Sequence, residues 1–206
     1  MRQLLRTSNE LGIRVEALTT IAADPMAEID RVARLHRCDS VLLGLSKIRE
    51  DGQAAQLESL LGQLDANVVI LRSRENWHFQ DARRVLVPIA GYGGHEHLLA
   101  MLLGSMKRSA PRDITFLRVM PTDTADDSMR RAERDLRHLA HDLCSQSSAT
   151  VVTSNQPLET IAEQAIDADV LILGVQRVGR QRLFGDFICE LAHRTDCPII
   201  LISSRG

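Results

Sequence analysis

Short aliphatic runs alternate with longer amphipathic stretches along the chain. Val41-Leu42-Leu43-Gly44, Val68-Val69-Ile70-Leu71 and Val85-Leu86-Val87-Pro88-Ile89 are three such runs. They recur at residues 114–119, 150–152, 170–173 and 199–202, and a further strand is predicted over 14–20. None alternates between apolar and polar positions, so strands covered on both faces are expected. Between them, helical patterns are predicted over 25–37, 53–65, 97–108, 129–144, 157–166 and 186–194. Asp24 is placed to cap the first, with Pro25 in its first turn. Strand–helix alternation of this kind predicts an α/β fold with a mostly parallel, doubly wound sheet.

The pattern repeats. Asp24-Pro25-Met26-Ala27-Glu28-Ile29 aligns with Gln156-Pro157-Leu158-Glu159-Thr160-Ile161. Asp39-Ser40-Val41-Leu42-Leu43-Gly44 aligns with Asp169-Val170-Leu171-Ile172-Leu173-Gly174, and Asn67-Val68-Val69-Ile70-Leu71-Arg72-Ser73-Arg74 with Pro198-Ile199-Ile200-Leu201-Ile202-Ser203-Ser204-Arg205. The expectation is duplication of one folding unit: a partial unit over 1–74, a linker over 75–82 that packs between the units, and a complete unit over 83–206. The first half has no counterpart of residues 83–119, the first strand, first helix and second strand. It is therefore read as truncated at its N-terminus, a piece of something longer.

Composition narrows the partners. The 206 residues carry 25 basic and 27 acidic side chains, a net charge of −2, and only 3% aromatics. Neither nucleic acid nor an anionic membrane is favoured by that balance. The longest greasy stretch, 98–106, is too short to span a bilayer, so direct membrane insertion is not expected. Cys38, Cys144, Cys189 and Cys197 form no CxxC pair, so reduced thiols in the cytoplasm are expected rather than a zinc site.

The run Arg84-Val85-Leu86-Val87-Pro88-Ile89, the strand ending at Gly174, the loop to Gly185 and the closing Cys197-Pro198-Ile199-Ile200-Leu201 resemble the universal stress protein family. The resemblance covers 83–206, and 13–74 as a truncated copy. It implies two stress-protein-like, Rossmann-like units with strand order 3-2-1-4-5. The paired arrangement is similar to the cytosolic C-terminal tails of bacterial amino acid permeases and cation-chloride cotransporter-like carriers. What it implies is a non-catalytic regulatory or assembly module on the cytosolic face of the inner membrane. Its partners would be the membrane domain of its own transporter and a second copy in a homodimer. The competing expectation is a stand-alone stress protein that binds ATP or AMP.

Nucleotide-binding members of that family place an acidic residue after the first strand. They also wrap the phosphates in a Gly-x2-Gly-x9-Gly-Ser/Thr loop after the fourth. Here Ala90 stands at the acidic position. Gly174 is kept, Arg177 replaces the second glycine, the loop to Gly185 is short, and Asp186 replaces the hydroxyl residue. A carboxylate at a helix start caps well but repels phosphate. No cofactor is therefore expected. Gly91, Gly174, Arg177, Gly179, Arg180, Gly185 and Asp186 remain candidates for a degenerate nucleotide or anion site.

Other clusters give no chemistry. Gly91-Tyr92-Gly93-Gly94 lacks the Lys-Ser/Thr ending of a P-loop and reads as a strand–helix turn. His95 and His97 beside it read as surface histidines. His138, His141 and Asp142 share a solvated helix face. No catalytic or metal-binding set is found, and the protein is expected not to be an enzyme.

Overall fold

The computed structural model describes residues 18–45, 57–59, 62–74, 77–90, 94–175 and 186–205. In chain order these form α1 (Pro25–Leu35), β1 (Ser40–Leu45), β2 (Asn67–Arg72), a 3-10 turn (Phe79–Asp81), β3 (Arg84–Pro88) and α2 (Glu96–Ser109). Then follow β4 (Asp113–Met120), α3 (Asp126–Leu143), β5 (Ser147–Thr153), α4 (Pro157–Ala165), β6 (Val170–Gly174), α5 (Asp186–Arg194) and β7 (Ile199–Ser203). Residues 57–59 and 62–63 are also helical.

Local chemistry explains the starts and stops. Asp24 accepts hydrogen bonds from the backbone N–H of Met26 and Ala27, at 2.9 and 3.2 Å, and Pro25 fills the first turn of α1. Arg31 and Arg34 reach back one turn to Glu28 and Asp30. The Arg31 hydrogen bonds, helped by the Thr20 hydroxyl, pull the Glu28 carboxyl down to about 2. Arg37 then takes a left-handed φ of 50° and ends the helix. In α3 only Ala132, Leu136 and Ala140 are buried, a stripe one helical turn apart, while His138, His141 and Asp142 are exposed.

The strands form one seven-stranded sheet in the order β1-β2-β7-β6-β3-β4-β5. All neighbours are parallel except β2 and β7, which run antiparallel with Ile70 opposite Leu201. The block β5-β4-β3-β6-β7 has the order 3-2-1-4-5. Helices cover both faces. Against one lie α1, α4 and α5, with Val68, Ile70, Leu171, Leu173, Ile199 and Leu201 beneath them. Against the other lie α2 and α3, over Val85, Val87, Phe116, Ile172, Ile200 and Ile202.

Two expectations are corrected. Residues 18–20, the described part of the strand predicted over 14–20, are not in a strand. The expectation of two-sided cover holds for β6, whose Val170, Leu171, Ile172 and Leu173 are all buried, but not for β1. Its Leu42 is 72% exposed. β1 is a sheet edge, and among the described residues no helix lies over that side of it.

Segment 77–82 is tied down by a buried cation. Arg112 donates to the carbonyls of Ala82, Phe79 and Met106, and its guanidinium lies 4.9 Å from the centre of the Phe79 ring. Trp77 meets Phe79 edge-on and packs against the core on the α2–α3 side.

Candidate functional site

In an open parallel sheet the binding crevice lies at the carboxyl ends of the strands, where the chain's winding reverses. Here that point falls between β3 and β6. The chain leaves β3 through α2 towards β4 on one side, while β6 and β7 lie on the other. A cavity of about 340 Å³ opens there. Val87, Pro88, Ile89 and Ala90 from the end of β3, Ile172 and Gly174 from β6, and Ile202 from β7 form its floor and rim. Leu99 of α2 and Leu139 and Leu143 of α3 form the apolar wall, and Glu96 adds a carboxylate.

His95 lines the crevice. Gly94 has φ 70°, a left-handed turn that delivers His95 to the start of α2. The imidazole approaches the end of β6 through its Cδ2 edge. A Cβ added to Gly174 would fall 2.6 Å from His95 Cδ2, so only glycine leaves room for the ring. Ser204, just after β7, donates its backbone N–H to His95 Nδ1 at 3.3 Å, and its hydroxyl lies 3.3 Å from the same nitrogen. The ring therefore joins the ends of β6 and β7 to the start of α2. The surface placement expected for His95 is corrected: it is half-buried, whereas its neighbour His97 is exposed as expected. Sequence reasoning missed His95 because its contacts come from distant strands. The signal available was a histidine at a helix start beside the expected binding edge.

Of the residues singled out in the sequence, Gly174 lines the crevice. Asp186 is the exposed first residue of α5 and does not line it. Gly91, Arg177, Gly179, Arg180 and Gly185 lie outside the described residues. Ala90 stands exposed at the rim, a methyl group where an acidic anchor was looked for. No Lys or Arg is among the described lining residues. Nor do the described residues contain a cluster of three His, Cys, Asp or Glu able to hold a metal ion.

None of the cysteines lines this crevice. Cys144, Cys189 and Cys197 are buried and Cys38 is half-buried, and none is in a disulfide. Burial, reinforced by the nearby Asp169 charge, pushes the Cys197 thiol up to about 11, which keeps it protonated and inert.

The arrangement is that of the universal stress protein-like fold, a Rossmann-type α/β architecture. A universal stress protein from Archaeoglobus fulgidus superposes on the whole chain with a TM-score of 0.65 at 17% identity, 74% of that protein being covered. The cytoplasmic domain of a prokaryotic cation chloride cotransporter also matches the whole chain, with a TM-score of 0.68 at 12% identity and 80% of that domain covered. A functionally unknown protein from Pseudomonas aeruginosa matches 99% of the chain with a TM-score of 0.63 at 13% identity, over 76% of its own length. No family model matches the sequence, and no curated protein matches it either. No described helix is long and apolar enough to cross a membrane.

Proposed function

We propose that the chain is a non-catalytic regulatory or assembly module of a secondary transporter, made of two related stress-protein-like units, the first incomplete. It would act on the cytosolic side and self-associate as a homodimer. The observation that carries the reading is the lining of the crevice. A nucleotide at the switch point needs donors for its phosphates. This crevice holds His95 against Gly174, has Ala90 at its rim and shows no cation among its described residues.

The two-unit reading is supported by pairing. β1 lies beside β2 with Val41 opposite Val68, as β6 lies beside β7 with Leu171 opposite Ile199. In the sequence repeat Val68 corresponds to Ile199, and Arg72 to Ser203. Val68 faces Ser203, and Ile199 faces Arg72. The corresponding residues Ile70 and Leu201 face each other. That register is what a local twofold axis through the Ile70–Leu201 pair requires.

The transporter reading is favoured by full-length likeness to a cotransporter's cytoplasmic domain. The likeness to an archaeal stress protein spans the chain equally and supports a second reading, a stand-alone stress protein holding ATP or AMP. Calorimetry separates the two. Titration of the chain with ATP and with AMP is expected to show binding no tighter than about 1 mM. A micromolar affinity for either would overturn the first reading in favour of the second.

A further inference from the structure

The sheet end opposite the crevice holds a second cavity, of about 570 Å³, a volume in the range of small-molecule clefts. It lies where β3, β6 and β7 begin and where α4 and α5 end. Ile166 and Arg194 enter it from the ends of those two helices. Trp77 and Asp81 enter it from the segment before β3, and Arg74 from just beyond β2. Asp196, in the turn into β7, pairs with Arg74. Charges of both signs thus share one cavity with an indole and with an isoleucine that is 78% exposed.

A related cavity of about 320 Å³ sits in the first half. The sequence repeat puts Arg205 where Arg74 stands, Asp65 where Asp196 stands and Asp39 where Asp169 stands. Arg205 Nε meets Asp65 at 2.7 Å, so each half lends an arginine to the other's aspartate across the β2–β7 seam. The described lining of the smaller cavity contains no aromatic residue. The larger one gains its indole from the segment that Arg112 holds in place.

The Arg74–Asp196 pair selects the charge of a ligand. Both side chains are mostly exposed, so the pair opens at little cost. Arg194 is already shared between Glu159 and Glu190, at 2.7 and 2.8 Å, which leaves Arg74 as the arginine to recruit. A simple carboxylate on Arg74 would strand Asp196 beside a second negative charge. A simple amine on Asp196 would strand Arg74 in the same way. A zwitterion replaces the one pair by two.

We propose that this cavity binds an α-amino acid with an apolar or aromatic side chain. Its carboxylate takes the forked donors of Arg74, its ammonium takes Asp196, and its side chain lies against Trp77 and Ile166. The lining of the cavity alone carries this site; neither the transporter role nor nucleotide binding enters, and its failure leaves both standing.

Trp77 is the one tryptophan of the 206-residue chain, so its fluorescence reports on this cavity. The full chain is titrated with phenylalanine, with hydrocinnamate, which lacks the ammonium, and with phenethylamine, which lacks the carboxylate. Phenylalanine is expected to give a saturable change in Trp77 emission with a Kd of about 1 mM or tighter. Each analogue should bind at least about tenfold more weakly. Arg74→Gln and Asp196→Asn should each weaken phenylalanine at least about tenfold. Arg205→Gln, which opens the equivalent pair of the smaller cavity, should leave its affinity unchanged. The absence of a saturable change would overturn the proposal, as would an analogue that binds as tightly as phenylalanine. So would Arg205→Gln weakening phenylalanine as much as Arg74→Gln. Should Arg74→Gln unfold the chain, Asp196→Asn and the two analogues still decide it.

Discussion

At the turn into β6, Asp169 Oδ2 accepts the backbone N–H of both Arg83 and Arg84 at 2.8 Å, and Oδ1 lies 3.3 Å from the Arg84 guanidinium. Partial burial pushes its carboxyl up, but the two N–H donors and the Arg84 charge outweigh this and hold it below the ordinary aspartate value of 3.8. A carboxylate with a depressed folded pKa stabilises the fold above its unfolded pKa, and that contribution fades as pH falls through the folded value. Asp169→Asn is expected to cost about 1–2 kcal/mol at pH 7. The gap from the parent should close as the pH falls below 3.8. Urea unfolding at neutral and acid pH measures it; an equal gap at both would contradict the assignment. His95 makes a different point at this scale. Its residue type and neighbours in sequence suggest a surface histidine, and only the approach of Gly174 and Ser204 from other strands reveals its place in the crevice wall.

Between elements, a single arginine adds a side-chain tie across the β2–β7 seam. Arg72, at the end of β2, donates to the carbonyls of Ala192, Thr195 and Cys197 at 2.5, 3.0 and 2.8 Å. These close the C-terminus of α5 and the turn into β7, where helical carbonyls lack internal partners and a cation is favourable. Burial lowers the Arg72 pKa below the usual arginine range. Arg72→Met would leave three carbonyls without a donor and is expected to cost about 2–4 kcal/mol. A shift in the urea midpoint measures it; a loss within experimental error would show the seam to be held by aliphatic contacts alone. The elements themselves were largely legible. Aliphatic runs marked β1, β2, β3, β4, β6 and β7, the Asp24-Pro25 cap marked α1, and the start of α5 at Asp186 was placed correctly. What the runs did not carry was sidedness. Leu42 reads like Ile172, yet one lies at a bare edge and the other beneath a helix, because cover depends on neighbours brought in by the whole topology.

For the molecule as a whole, the α/β class was readable from strand–helix alternation, and the 3-2-1-4-5 order of β5-β4-β3-β6-β7 from the resemblance alone. The antiparallel meeting of β2 and β7 into one continuous sheet was not, since no local pattern specifies which strand edges join. The site was legible in part. Gly174 and the loss of an acidic group at Ala90 were visible, while the contributions of α3 and His95 required the fold. The central claim, that this sheet serves as a transporter's cytosolic module, is tested most directly by the size and fraction of the native polypeptide. Immunoblotting of membrane and soluble fractions from the native cell, with an antibody raised against this chain, should give a membrane-bound band far above 22.9 kDa. A soluble band at 22.9 kDa would contradict the account.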